Sequence, residues 1–204
     1  MKYTQVKNEI ILASKSKVRK EILEKNFIDC KVIASNLDEE PIKESLIKNG
    51  ASPELISKNL AELKAIKISN LNLNDIVLGA DSVIDLENNI ISKPKNRDEA
   101  LEILKKLNGK EHQLISSVSL VKNGTMIWNY TDKAKLTMKQ FNLEELKEYL
   151  SKISDKALYS YNVYQIEGEG KNLFSKIEGD KDTIMGLPIK KITEYLRNLS
   201  WKSI

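Results

Sequence analysis

Three places in the chain put groups able to handle phosphate directly after an apolar run. Glu9–Ala13 (EIILA) delivers Ser14, Ser16 and Arg19. Read as a strand followed by a helix N-terminus, that turn offers unbonded N–H groups, a partial positive charge, two hydroxyls and a guanidinium. Together these make a phosphate cradle. The same residues also suit an ordinary serine N-cap beside a surface arginine. Asp75–Ala80 (DIVLGA) delivers Asp81 and Ser82. A carboxylate at the carboxyl end of a buried strand lies where open α/β sheets bind ligands. There Asp81 can hold a divalent metal or orient a water, or it can only cap a turn; Ser82 has the same two readings. Ile90–Ser92 delivers Lys93, which Pro94 holds at a defined angle.

Two further groups complete the set. The acidic triplet Asp38-Glu39-Glu40 precedes Pro41 and reads as a solvated loop. With Asp81 it can also complete an oxygen-ligand site for Mg²⁺, which takes few carboxylates plus substrate phosphates. Lys64 falls inside a helical pattern, where by itself it reads as a solvent-facing lysine. Near the C-terminus, Tyr164–Gly168, Glu178–Asp180 and Gly186–Pro188 crowd glycine and polar residues together in a chain with only 8 glycines. That suits a loop wall around a ligand, and turns alone also explain it.

Other chemistries lack their parts. No G-x-x-x-x-G-K-[ST] phosphate loop occurs, and Gly168-Glu169-Gly170 fails the dinucleotide fingerprint because position 173 is Leu. Cys30 and His112 are each the sole residue of their type, so neither a zinc set nor a Cys/His nucleophile pair is available. Both read as structural.

The elements that must position these groups alternate between strand and helix. Strands are expected at Glu9–Ala13, Lys31–Ala34 and Asp75–Ala80, the last ending in the polar pair Asp81-Ser82; Val83–Leu86 continues extended, and Ile90-Ile91 resumes after a turn. Helices are expected over Val18–Lys25 with Ser16 as N-cap, from Ser52-Pro53 through Ile66, and from Asn96 to Leu107 with Asn108-Gly109 closing it. Asn142-x-x-Glu145 opens another, to about Leu150, and a last helix runs from near Pro188 to about Leu199. His112–Val121 and Thr125–Met138 are long strands around Asn123-Gly124, a strong hairpin signal. The order implies an α/β protein with a mixed sheet, because a hairpin sits among crossover units. We read residues 1–204 as one domain of two lobes with a ligand cleft between them.

Composition bounds the rest. The 204 residues are 41% hydrophobic and 30% charged, which excludes a fibrous, low-complexity or disordered chain. The formal charge of +4 carries no block of five like charges, so no nucleic-acid polymer is expected as partner. No apolar run approaches the ~20 residues that cross a bilayer, so no membrane association is expected. Ile10–Ala13 is too short for a secretory core, and a single cysteine points to the cytoplasm.

Taken together, the motifs resemble the Maf-like nucleoside triphosphate pyrophosphatases along nearly the whole chain. Leu12-Ala13-Ser14-Lys15-Ser16-Lys17-Val18-Arg19 looks like that family's L-A-S-x-S-x-x-R opening, and Asp38-Glu39 like its acidic pair. Leu60-Ala61-Glu62-Leu63-Lys64-Ala65 resembles its L-A-x-x-K-A helix, and Gly79-Ala80-Asp81-Ser82-Val83 its G-A-D-T-V stretch. Ser92-Lys93-Pro94 is similar to G-K-P, and Leu107–His112 to L-S-G-x-x-H. Gln165-Ile166-Glu167-Gly168, Glu178-Gly179-Asp180 and Gly186-Leu187-Pro188 complete the order. Each motif is weak alone; their joint occurrence in order is specific.

The resemblance implies an inosine-triphosphatase-like α/β fold and hydrolysis of a nucleoside triphosphate to monophosphate and pyrophosphate with Mg²⁺ or Mn²⁺. It implies Asp81 as the group that activates water, and Ser14, Arg19, Lys64 and Lys93 as holders of the triphosphate. Glu39, with Asp81, helps place the metal. A homodimer, and a role in house-cleaning or division arrest, are also implied. Val18, Ser82 and Glu167 stand where members acting on thymidine and uridine triphosphates carry Arg, Thr and Gln. That pattern is closer to the branch associated with 7-methylguanosine triphosphate. Gln165 and Glu167 would point to opposite sides of an extended segment, so which one meets the base stays open. Two competing readings remain: a nucleotidyltransferase, although Ser14–Lys20 lacks the glycines such loops use, and a non-catalytic nucleotide sensor.

Overall fold

The apolar run Ile10–Leu12 forms β1, and Ser16 caps α1 (Lys17–Lys25) by accepting the Arg19 N–H. The computed structural model describes residues 9–155, 158 and 163–201. The first eight residues, on which part of the leader reading rests, lie outside the described residues. β2 is Cys30–Val32. The acidic triplet is not a loop: it opens α2 (Glu39–Lys48), with Asp38 at the N-cap and two carboxylates in the first turn. Those carboxylates face the positive end of the helix dipole, and Pro41 falls in the turn whose N–H groups have no helical acceptor.

α3 (Pro53–Ser69) starts as predicted, with the Leu55 N–H on Ser52. β3 is one strand, Val77–Leu86, so Asp81 lies mid-strand and not at its end. Glu87 and Asn88 both take positive φ and turn the chain into β4 (Asn89–Ile91). Asn96 caps α4 (Arg97–Leu107). β5 (Glu111–Lys122) and β6 (Thr125–Met138) form the expected hairpin, with Asn123 at φ 52° and Gly124 at φ 73°, the left-handed pair that a two-residue turn requires. α5 (Leu143–Lys152) carries a full capping box from Asn142 and Glu145. After a 3₁₀ turn (Glu169–Leu173) come β7 (Phe174–Glu178), α6 (Lys181–Ile184) and α7 (Ile189–Trp201).

The strands form one mixed sheet, ordered β2-β1-β3-β5-β6-β7, with β4 also on β3. β1 runs parallel to β2 and β3; β3, β5, β6 and β7 are antiparallel. β1 meets β3 only at Val77 and Leu78, and β4 meets it only from Ile84 to Leu86. Between these contacts, Gly79–Val83 has no strand partner on that edge. This window in the sheet sets the position of the site.

Alternation along β3 sends successive side chains to opposite faces. On one face, α3 lies so close that a Cβ built on Gly79 would stand 2.0 Å from the Ala61 carbonyl oxygen. On the other, Leu78 and Ala80 pack with Val18, Ile22 and Leu23 of α1 and Ile189 and Ile192 of α7. Further along that second face, Ile84 and Leu86 pack with Leu104 of α4 and Leu150 of α5.

Candidate active site

A cavity of about 630 Å³ opens at the window in β3. Ser14, Ser16, Val18, Arg19, Glu39, Lys64, Asp81, Ser82, Lys93, Gln165 and Glu167 line it together, while Asp38, Glu40 and the Glu178–Asp180 segment do not. Six basic residues (Lys15, Lys17, Arg19, Lys43, Lys64, Lys93) and three acidic ones (Glu39, Asp81, Glu167) line its wall. Basic residues thus outnumber acidic ones two to one around this opening. The wall from β4 and the far half of β3 is apolar, with Ile84, Ile90, Ile91 and Leu114 beside Tyr164 and Ile166.

Asp81 is 5% exposed and Lys64 7%. The Lys64 ammonium donates to Asp81 Oδ1 at 2.7 Å and pairs with Glu39 Oε1 at 2.9 Å. Lys64 is thus not a solvent-facing lysine: α3's close seating on Gly79 drops its side chain onto the neighbouring carboxylate. Ser57, also on α3, donates to the Asp81 carbonyl at 3.2 Å. Asp81 Oδ2 is buried with no hydrogen-bond partner among the described residues. Burial raises the Glu39 pKa, but attraction to Lys64, then Lys43 and Lys93, outweighs it and holds the carboxyl below its ordinary value.

Arg19 spans the window. Its Nη1 donates to the Ala80 carbonyl at 2.9 Å and to Ser14 Oγ at 3.2 Å, Nε to the Gly186 carbonyl at 2.9 Å, and Nη2 to Ser82 Oγ at 3.1 Å. The Ala80 carbonyl lies on the edge that no strand covers, so the guanidinium satisfies what a strand would have. Burial lowers the Arg19 pKa, Asp81 and Glu39 oppose that, and a guanidinium remains charged regardless. Ser14 Oγ also accepts the Ser16 N–H, and Ser16 Oγ the Arg19 N–H. Neither hydroxyl proton has an acceptor among the described residues, so both can donate to a phosphate oxygen. Lys93 is exposed at the cavity wall; partial desolvation, then repulsion from Arg19, lowers its pKa against the pull of Glu39 and Asp81.

Gln165 and Glu167 sit in a turn, not an extended segment, which lets both reach the cavity. Gly168 N–H donates to the Gln165 carbonyl at 3.1 Å, and Gly170 lies so tightly against Gln165 that a Cβ there would stand 2.6 Å from its carbonyl oxygen. His112 is structural: buried, bonded through Nε2 to the Tyr164 hydroxyl at 2.8 Å, and lowered by burial to a pKa of about 4.

Sequence reading missed Lys43. Its ammonium lies 3.0 Å from Glu40 and 3.8 Å from Glu39 and lines the same cavity. Burial lowers its pKa, and the bond to Glu40 with the charge of Glu39 raises it further, to a net rise. The Glu39-x-x-x-Lys43 spacing would have revealed it once Asp38 was read as a helix cap. Ser116 and Thr183, behind Ser82, had no sequence signal.

The residues present fit a divalent cation that completes its shell with phosphate oxygens. Asp81 Oδ2 is an unclaimed buried anion oxygen and Glu39 lies one ammonium away, while the described residues hold no group of three or more His, Cys, Asp or Glu that could hold a metal by themselves.

A gap along an inner strand of the sheet, with clustered basic residues and a buried carboxylate, has the chemistry to take a polyanion. The chain belongs to the Maf-like protein family, whose model matches residues 9–199. It is 70% identical to a nucleoside triphosphate pyrophosphatase of Pelagibacter ubique (strain HTCC1062), over 93% of this chain and 97% of that one. It is 36% identical to a 7-methyl-GTP pyrophosphatase of Brucella abortus, over 93% and 95%. To a 7-methyl-GTP pyrophosphatase of Mesorhizobium japonicum it is 38% identical, over 94% and 96%. No described helix is long and apolar enough to cross a membrane.

Proposed function

We propose that this chain hydrolyses a nucleoside triphosphate to the monophosphate and pyrophosphate. The observation that carries the reading is Asp81: one carboxylate oxygen held by Lys64, the other buried and unclaimed, inside a cavity walled by cations. The 70% identity to a pyrophosphatase over almost the full length of both chains supports it.

In the free protein Lys64 serves two carboxylates at once. A triphosphate competes for that ammonium, and Lys93, Lys43 and the Ser14 and Ser16 hydroxyls bind its remaining charge. Asp81 Oδ2 then takes the proton of the water that attacks the α-phosphorus, and the bond to the bridging oxygen breaks to release pyrophosphate. The fixed cations stabilise the charge that builds on the phosphoryl oxygens. Glu39 and Asp81 would hold Mg²⁺ or Mn²⁺, which when bound neutralises phosphate charge.

The base rests against the apolar wall of Ile84, Leu114 and Tyr164, with Gln165 and Glu167 at its edge. A carboxylate there accepts from the N–H edge of guanine and favours the positive charge of a 7-methylated ring, which supports 7-methylguanosine triphosphate as substrate. The test is a nucleotide panel with Mg²⁺ or Mn²⁺ and identification of products. Pyrophosphate plus monophosphate is expected; diphosphate plus orthophosphate, or no turnover, overturns the reading. Glu167→Gln shifts preference away from the 7-methylated base with kcat on the best substrate changed less than about threefold. An unchanged preference profile rejects that base contact.

A further inference from the structure

Behind the cavity a run of hydrogen bonds crosses the sheet, and its direction is determined. Ser116 Oγ donates to the Thr183 carbonyl at 2.8 Å. Its single proton is thereby spent, so the 2.8 Å contact between Ser82 Oγ and Ser116 Oγ must be donated by Ser82. Ser82 then has only lone pairs left, one of which takes Arg19 Nη2. Thr183 Oγ1 in turn donates to Asp132 Oδ2 at 2.6 Å. Ser116 and Thr183 are fully buried. The Thr183 carbonyl also receives the Gly186 N–H at 3.0 Å, and the Gly186 carbonyl receives Arg19 Nε.

Thr183 therefore governs both protein contacts that aim the outer edge of the guanidinium: Ser82 through Ser116, and Gly186 through the turn after α6. Asp132 on β6 anchors Thr183. We propose that Thr183, anchored by Asp132 and working through Ser116, is a positioning residue that locks Arg19 across the window in one orientation. This holds a fixed positive charge over the cavity. The effect on turnover rests on the triphosphatase reading above; the effect on Arg19 does not.

The test has two readouts. The chain has three arginines, so ¹⁵N-labelled protein gives three Nε–H signals, and Arg19's is the one missing from Arg19→Lys. Thr183→Val keeps the shape and removes the hydroxyl. It should speed exchange of the Arg19 Nε–H with water about tenfold, while Thr183→Ser stays within about twofold of the natural protein. Unchanged exchange in Thr183→Val, or equal loss in Thr183→Ser, overturns the proposal. Should Thr183→Val not fold, Asp132→Asn serves in its place, with an expected acceleration of about threefold; no acceleration counts against the proposal.

The second readout is turnover of the best triphosphate. Thr183→Val raises KM about fivefold, and adds nothing further in an Arg19→Lys background. Fully additive effects overturn the coupling. If the natural protein turns over no nucleotide, the proposed function fails and the exchange result still decides the role of Thr183.

Discussion

The carboxylate of Asp81 cannot be understood apart from Lys64. Both are buried, and each is tolerable there because the other neutralises it at 2.7 Å. Asp81→Asn keeps an oxygen for the ammonium but cannot take a proton. We expect turnover to fall by about 10³-fold or more with a cooperative melt retained, measured as kcat beside a thermal unfolding curve; residual activity near the natural level would remove Asp81 from the mechanism. His112 makes the opposite case, a buried titratable group that does not line the cavity. Its folded pKa of about 4 lies below its ordinary 6.5 because burial disfavours the imidazolium. Between those values the unfolded chain binds a proton that the folded protein refuses, so stability falls as pH drops through the window. The loss is at most about 3 kcal/mol. His112→Gln should flatten that part of the curve when urea midpoints are compared from about pH 7 to pH 4.5. A parallel acid loss in the variant would assign it to other groups.

Among the elements, α3 and α2 contribute unequally to the site. α3 is seated directly on β3 because Gly79 has no side chain, and that contact is what brings Lys64 and Ser57 to Asp81. Gly79→Ala puts a methyl into the Ala61 carbonyl and must lift the helix. It should cost about 1–3 kcal/mol in chemical denaturation and lower kcat more than KM, because the lysine moves with its helix. Equal kcat in a destabilised variant would uncouple the seat from the chemistry. α2 buries no residue fully, and Lys64 is the cation outside α2 that ties it down through Glu39. That is why its pattern did not read as a helix: with no apolar face to repeat, the only signals were a capping aspartate, acidic residues in the first turn and an i,i+4 pair. β7 was equally silent. As a short edge strand with one buried residue it has almost no apolar alternation to detect.

Across the whole molecule, a sheet interrupted along one edge of β3 turns into a cleft, and basic residues outnumber acidic ones two to one along its wall. A field of that kind draws a polyanion and is screened by salt. KM for the triphosphate should rise about threefold or more between roughly 0.05 and 0.5 M monovalent salt, while kcat stays nearly constant; a flat KM would mean that recognition rests on short contacts alone. The long strands, the capped helices, the hairpin and the order of the motifs were all legible in the residues, because caps, turns and alternation are local and act over a few positions. The pairing of Lys64 with Asp81 was not, since a lysine in a helix looks the same whether it meets water or a carboxylate from a distant strand. Nor was the mid-strand place of Asp81, which depends on where β1 stops and β4 begins. The contacts of Arg19 were hidden for the same reason: its acceptors at Ala80, Ser82 and Gly186 are far from it along the chain, and only folding brings them around one guanidinium. Residue type and spacing determined which groups this chain owns; the tertiary structure alone decided which of them share charge, because Coulomb attraction and hydrogen bonding depend on distance in space.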